Sequence, residues 1–202
     1  MVVVKKEYNK GRVILLFDDS TKSIELSKAV VYEEGIKIGS SLTEDELYDL
    51  TLLSEQKRAY HRALYYISKS NMSSGYLRKK LDKKFMDEAI DYAVNKVLEH
   101  KFIVDSDYAT HLAERLLNEG RSKKEIIDKM YYKGCKKDDI EYAVSLLEFD
   151  EEADILALIN KKYLTKLNGE KGEEKVAAAL IRRGFSPYLV KKIIKQELGK
   201  ND

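Results

Sequence analysis

A self-similarity with a period of fifty residues is the feature that most constrains the fold of this chain. Three copies carry apolar residues at the same places, and Gly134 and Gly184 precede the third place in the later two copies. The first copy lacks a residue there. The matching positions are Leu77, Leu81, Phe85, Ile90 and Val94, then Ile126, Met130, Cys135, Ile140 and Val144, then Val176, Leu180, Phe185, Val190 and Ile194. Such a register predicts a repeat architecture in which each copy is one supersecondary unit.

Within each copy, the apolar residues recur at intervals of three and four, which is typical of amphipathic helices. In the second copy a first helix ends at Gly120, and Ser122-Lys123-Lys124-Glu125 then has the form of a capping box. In such a box the serine accepts a hydrogen bond from the Glu125 amide and the glutamate reaches back. Gly134 suits the left-handed residue that ends the second helix. The same plan predicts helices at 58–69, 74–84 and 87–99 in copy one, and at 151–163, 173–182 and 187–197 in copy three, where Pro187 suits a first helical position.

The predicted fold class is therefore mostly α, with three tandem three-helix repeats at 57–104, 105–149 and 150–202. One triplet has little core of its own, so we expect the repeats to stack into an elongated, curved array with a shared core.

The first fifty residues follow a different pattern. Two apolar stretches, 13–17 and 23–26, flank the turn Asp18-Asp19-Ser20 and predict a β-hairpin. A short helix near 27–33 follows, and a second capping box at Thr43-Glu44-Asp45-Glu46 begins another helix. We expect residues 1–50 to form a small N-terminal extension of hairpin and short helices.

Composition bounds the function. The formal net charge is +2, from 37 basic and 35 acidic residues, so affinity for nucleic acid or an acidic partner must come from local basic patches. One cysteine excludes an intrachain disulfide and favours the cytoplasm. The apolar run at 13–17 is too short for a membrane span or the core of a signal peptide. We therefore expect a monomeric cytoplasmic protein that does not bind a membrane.

No residue cluster predicts catalysis, so we expect no enzyme, no metal and no cofactor. Cys135 holds the place of Phe85 and Phe185 in the other copies, which favours packing over a nucleophile. His61, His100 and His111 share no spacing, and surface positions are the better interpretation. The acidic run 150–154 could hold a metal, but carboxylates in the first turn of a helix explain it better.

Basic residues recur at the second helix of each copy and on the last helix of the third. A partner-binding surface and ordinary solvated helix faces are both open interpretations, and the recurrence makes them about equally good. The candidate partner-binding residues are Arg78, Lys79, Lys80, Lys123, Lys124, Lys133, Arg182, Arg183, Lys191, Lys192 and Lys195. Tyrosines such as Tyr65 and Tyr66 could stack on bases or anchor a partner, although most suit the edges of a core.

The order of these motifs resembles the RecX family of bacterial recombination regulators. The residues that carry the resemblance are Arg121-Ser122-Lys123-Lys124-Glu125-Ile126 with Lys133-Gly134-Cys135, the stretch 98–108 at the junction of the first two repeats, and 180–185 near the end. The hairpin followed by 39–44 is similar to extensions of Gram-positive-type members. Two departures are the missing glycine before Phe85 and Cys135 in place of a larger apolar residue.

The resemblance implies that the chain binds the RecA recombinase, in the groove of its filament on DNA, and most often inhibits it. The family offers no catalytic residues to carry over. Weak direct contact with DNA is also compatible with the resemblance. The alternative function is a helical DNA-binding module that acts on nucleic acid by itself, against which the near-neutral net charge counts.

Overall fold

The computed structural model describes residues 1–199, which divide between two compact units. The first unit ends at Ile103 and the second begins at Val104. The first holds a small sheet and four helices. In the second, all secondary-structure elements of the described residues are helices.

The chain opens with an antiparallel sheet of three strands in the order β1-β2-β3. The strands are β1 Val3–Asn9, β2 Arg12–Phe17 and β3 Ser23–Ser27. Strands β2 and β3 form the predicted hairpin, whereas β1 was not predicted. Lys10 and Gly11 join β1 to β2, and both have positive φ angles, of 43° and 83°. These angles are typical of the two-residue type I′ turn, whose twist matches that of paired strands.

Two helices follow the sheet, α1 Lys28–Glu33 and α2 Glu44–Lys69. The predicted capping box at the start of α2 is confirmed, because the Thr43 hydroxyl accepts from the Glu46 amide and Glu46 accepts from the Thr43 amide. This helix continues through residues 50–57. The sequence predicted that the N-terminal extension ends and the first repeat begins in this stretch. No glycine or proline interrupts it.

Helix α2 therefore serves two cores within the first unit. Its N-terminal half packs on the sheet through Leu50, and Ser54 accepts a 2.7 Å hydrogen bond from the Ser27 amide. Its C-terminal half packs through Ala59 and Ala63 against two further helices, α3 Ser74–Leu81 and α4 Asp87–Glu99. Helix α3 stops three residues before the predicted end at 84.

The second unit contains the helices expected for copies two and three, with one difference. The first helix of copy three, predicted at 151–163, passes into a π-helical turn after Leu158 and runs on to Leu167. The first set is α5 Asp105–Asn118, α6 Lys123–Tyr132 and α7 Lys137–Ser145. The second set is α8 Glu151–Leu158, a π-helical turn Ile159–Tyr163, α9 Leu164–Leu167, α10 Gly172–Arg182 and α11 Pro187–Leu198. Pro187 occupies the first turn of α11, as predicted.

Glycines end α6 and α10 in the way that the sequence indicates. Gly134 and Gly184 have φ angles of +75° and +88°, in the left-handed region. In each case the next amide bonds back into the helix, from Cys135 to the Met130 carbonyl at 3.0 Å and from Phe185 to the Leu180 carbonyl at 3.3 Å. This pattern is the Schellman motif, and it directs the residue after the glycine into the core.

Within the second unit, the buried apolar residues form one cluster for each helix triplet, so the expectation of one continuous core through copies two and three is wrong. Copies two and three keep their clusters apart within the second unit. Each set of helices buries its own apolar faces. The two sets meet where the Leu158 side chain lies beside Gly120, and through polar contacts. The Ser122 hydroxyl donates to the Arg183 carbonyl at 2.6 Å, and the Arg183 guanidinium donates to the Gly120 carbonyl at 3.1 Å.

Ser122 caps α6 as predicted, because its hydroxyl accepts from the Glu125 amide at 3.2 Å. The prediction that the Glu125 side chain reaches back to the Ser122 amide is wrong. Glu125 instead accepts from the Arg121 guanidinium, one turn away. A guanidinium bond to a carboxylate is charge-assisted and stronger than a bond from a neutral amide, which explains the preference.

Within residues 1–199, no helix combines the length and the apolar character that crossing a bilayer requires.

The junction between copies two and three predicts the effect of Gly184→Ala. The left-handed backbone of this residue disfavours any side chain, and an added Cβ would lie 2.6 Å from the Ser122 hydroxyl oxygen. We expect the free energy of unfolding to fall by the conformational cost of roughly 1–2 kcal/mol and by a further amount from the clash. The measurement is the free energy of unfolding from urea titration.

Gly39→Ala is the matched control, because Gly39 has a φ angle of +90° and an added Cβ there meets no atom within 4 Å. In a Ser122→Ala background, Gly184→Ala should lower the free energy of unfolding by less than it does in the native chain, since the clashing oxygen is gone. Equal costs for Gly184→Ala and Gly39→Ala would contradict the close approach at the junction.

Candidate partner-binding surfaces

The basic residues of α3 in the first unit differ in their surroundings. Arg78 is exposed and pairs with Asp91 on α4, which raises the pKa of its guanidinium. Lys79 is exposed as well. Lys80 is half-buried, with its ammonium 5.0 Å from the Tyr66 ring centre and 5.5 Å from that of Tyr76. The three neighbours in sequence therefore do not form one uniform charged strip.

Lys80 belongs to a larger group of cations and tyrosines, which we call the tyrosine–cation cluster. Its members are Arg62, Tyr65, Tyr66, Lys69, Tyr76, Lys80 and Lys84. Four of them lie on α2 at positions 62, 65, 66 and 69, a spacing that puts them on one face of the helix. The sequence indicates Tyr65, Tyr66 and Lys80 only as separate candidates, because no local pattern shows that α2 and α3 bring these side chains together.

Tyr66 lies at the centre of the tyrosine–cation cluster. The Lys84 ammonium donates a 3.0 Å hydrogen bond to its hydroxyl, and this bond lowers the pKa of the Tyr66 phenol. The Tyr65 ring lies 6.0 Å from the Tyr66 ring, and the side chain of Tyr65 is 52% exposed. The faces of these rings attract the cations electrostatically.

The cations of the cluster lack acidic partners. In the part of the chain that the structure describes, none of the four, Arg62, Lys69, Lys80 and Lys84, forms an ion pair with a carboxylate. Their positive charge therefore stays available to an anionic partner, beside an exposed aromatic ring. This combination suits the backbone and bases of a nucleic acid, or an acidic protein surface.

In the second unit, the three candidate lysines of copy two lie at the two ends of α6. Lys123 and Lys124 are exposed at its start, and the Lys123 ammonium lies 5.5 Å from the centre of the Phe149 ring. Lys133 follows the last residue of α6, so it lies about 15 Å away at a rise of 1.5 Å per residue. The lysines of this helix thus divide between two places.

The end of α10 lies beside the start of α6. Arg182 is exposed and its guanidinium bonds to the Ala178 carbonyl of its own helix. Arg183 is half-buried and holds the junction with Gly120 and Ser122. Arg182 and Lys124 are therefore free to meet a partner at this junction, whereas replacing Arg183 also disturbs the fold.

The lysines of α11 lie on its solvent side. Lys191 and Lys195 are exposed, and so is Lys192, which pairs with Glu152 at 2.6 Å. This pairing raises the pKa of the Lys192 ammonium. An exposed pair of this kind contributes little to stability, so it can be exchanged for a partner's carboxylate at small cost.

The acidic run at the start of α8 has structural partners. Asp150 caps the helix by accepting from the Ala153 amide, and Glu151 accepts from the Ser186 amide at 2.6 Å. Burial, together with the charges of Asp150 and Glu151, raises the pKa of Asp154. No group of residues in the described chain has the composition of a metal site. The run therefore fits the interpretation as an acidic first turn.

Cys135 and the histidines carry no arrangement for chemistry. Burial raises the pKa of the Cys135 thiol to about 11, so the thiolate needed for nucleophilic attack is scarce at neutral pH. His61, His100 and His111 are exposed, in line with the surface positions expected for them.

Known proteins resemble the chain over nearly its whole length, although no protein-family model matches it. The Regulatory protein RecX of Clostridioides difficile (strain 630) is 26% identical over 200 residues, covering 97% of this chain and 94% of that protein. The Regulatory protein RecX of Clostridium beijerinckii is 28% identical, covering 93% and 90%.

The fold agrees with solved structures of the same name. A crystal structure of regulatory protein RecX aligns with a TM-score of 0.58 at 23% identity, over 95% of this chain and 98% of that one. RecX from Lactobacillus salivarius aligns with a TM-score of 0.55 at 21% identity, over 70% of this chain and 96% of that one. Sequence relatives over nearly the full length and a shared fold lead to one conclusion: the chain is similar throughout to regulatory proteins named RecX, and it has their fold.

Proposed function

We propose that this protein binds RecA, along the groove of the RecA filament on DNA, and inhibits its recombinase and ATPase activities in recombination, repair and the SOS response. The observation that carries the proposal is the full-length similarity to regulatory proteins named RecX. The protein acts without catalysis or a cofactor, as a monomer in the cytoplasm.

The mechanism that we propose is multivalent contact. The helix triplets predicted at 57–104, 105–149 and 150–202 would each offer a contact, so that one chain touches several RecA protomers at once. Linked contacts raise the affinity for a filament well above that for one free subunit, because the second contact forms at a high effective concentration. Exposed cations such as Lys124, Arg182 and Lys191 would meet acidic surface on RecA or phosphates of the bound DNA.

The first test is inhibition of the ATPase activity of RecA on single-stranded DNA, together with strand exchange, by the purified protein. Lys124→Glu with Arg182→Glu should raise the concentration for half-inhibition by about tenfold, since each reversal removes an attraction and adds a repulsion of roughly 0.5–1 kcal/mol. The control is Lys161→Glu with Lys166→Glu, two exposed lysines of the same unit outside the junction.

Unfolding curves of both double variants should match that of the native chain, because the four side chains are exposed. No effect of the native protein on either RecA activity would overturn the proposed function. Equal inhibition by the Lys124 and Arg182 variant would instead keep the function and remove this junction from the contact.

The tyrosine–cation cluster supports a second candidate, direct binding of single-stranded DNA. Four cations without carboxylate partners surround tyrosine rings there, and such a surface can hold phosphates while a base stacks on Tyr65. This activity could operate alone or beside RecA. It predicts affinity for DNA when RecA is absent.

Tyr65→Ala should weaken the binding of an oligothymidine several-fold, because stacking on an aromatic ring contributes about 1–3 kcal/mol per base. Tyr92→Ala is the matched control, since Tyr92 is 37% exposed on α4 of the same unit and lies outside the cluster. Fluorescence anisotropy at two salt concentrations gives the affinity, which should fall steeply with salt. Equal losses in the two variants, or binding insensitive to salt, would count against this candidate.

A further inference from the structure

Beyond Val3, the outer edge of β1 pairs with no other strand within residues 1–199. The Lys10-Gly11 turn makes Asn9 and Arg12 the closing hydrogen-bonded pair of the hairpin, so the backbone groups of alternate residues point to β2. Those of Lys6 and Tyr8 consequently point away from the sheet. Val3 bonds to residues 39 and 40 on this outer side, but among the described backbone contacts none reaches the outward groups of Lys6 or Tyr8.

A groove of about 310 Å³ adjoins this edge. Its floor consists of three buried apolar side chains, Val13 of β2, Val31 of α1 and Ile36 of the loop that follows. Tyr8 and Tyr32 stand at its rim, and their side chains are 66% and 82% exposed. An apolar floor with exposed aromatic rings is typical of a surface that a partner covers.

The charge around the groove has one sign. Lys6, Lys28 and Lys37 line it, and no carboxylate does. The Lys6 ammonium donates to the Ile36 carbonyl and is therefore held inside the protein. Lys28 and Lys37 have no carboxylate partner in any ion pair of the described residues. Their charges complement an acidic ligand.

We propose that the β1 edge and its groove bind an extended, acidic segment of another protein, which adds to the sheet as a fourth strand. The backbone of the segment pairs with the outward groups of Lys6 and Tyr8. Its side chains at every second position point to the face of the sheet that carries the groove, so an apolar one enters between Tyr8 and Tyr32. Flanking carboxylates meet Lys28 and Lys37. This site is separate from the tyrosine–cation cluster and from the junction in the second unit.

Backbone pairing gives the proposal a specific signature in amide hydrogen exchange. The probe is the capped peptide Glu-Glu-Val-Thr-Ile-Thr-Val-Glu-Glu, added to the full-length protein. Exchange at Lys6 and Tyr8 should slow by about tenfold or more on binding, because these amides gain hydrogen bonds. Exchange at Glu7, whose amide already points to β2, should change little. Binding that leaves Lys6 and Tyr8 unprotected would overturn strand addition.

Two comparisons test the chemistry of the partner. The same peptide with lysine in place of glutamate should bind at least about tenfold more weakly, and Lys28→Glu with Lys37→Glu should reverse that preference. Lys161→Glu with Lys166→Glu, the same charge change in the other unit, should leave the peptide affinity unchanged. Equal binding of both peptides to the native chain would overturn the acidic specificity.

Tyr8→Pro removes the outward amide of residue 8 without removing a bond to β2, a change that edge strands tolerate. It should abolish peptide binding while the unfolding midpoint stays near that of the native chain. If the variant unfolds, the exchange experiment on the native protein still decides. Protection of Lys6 and Tyr8 that grows with protein concentration, without peptide, would show that a second copy occupies the edge and would overturn the proposal.

Discussion

The left-handed turn at the end of a helix, with the following residue buried, is the constraint on which the second unit depends. After Gly134 and Gly184, the chain reverses direction within two residues, and the next amide satisfies a carbonyl of the helix just completed. Cys135 and Phe185 thereby enter the two cores at corresponding places. Because the turn places Gly184 against Ser122, it also sets the contact between the helix triplets. A side chain on that glycine would disturb the turn, the cap of α6 and the junction together.

The first triplet shows what happens without such a glycine. Helix α3 ends at Leu81, and the Lys84 amide bonds back only to the Leu81 carbonyl. Phe85 stays half-buried, with the Arg58 guanidinium 5.6 Å from its ring centre. The missing residue thus changes both the length of the helix and the burial of the aromatic anchor. Lys84, released from the helix, becomes the donor to Tyr66.

Local signals in the sequence predicted much of the fold, and the differences have physical causes. Capping residues and apolar spacing locate helix starts well because the interactions involved lie within one turn. Strand β1 escaped notice because Lys5, Lys6 and Glu7 hide its apolar alternation, as suits an edge exposed to solvent. The prediction that the Glu125 side chain accepts from the Ser122 amide was wrong because a capping box competes with any nearby guanidinium. The tyrosine–cation cluster needed the contact between α2 and α3, which no local pattern contains.

Counting charges in the sequence could not separate the cations that hold the fold from those open to a partner. Arg183 donates to a carbonyl of another helix triplet at a half-buried junction, so a ligand could recruit it only by leaving that carbonyl without its bond. Lys192 gives up only an exposed ion pair with Glu152, which contributes little to stability. On binding a ligand, Lys80 and Lys84 would give up only contacts with tyrosine rings, and those rings could still stack on a base. Exchangeability therefore ranks the basic residues better than their number does. In a chain with 37 basic and 35 acidic residues, binding of an anionic partner would depend on such exchangeable cations, because the net charge is nearly neutral.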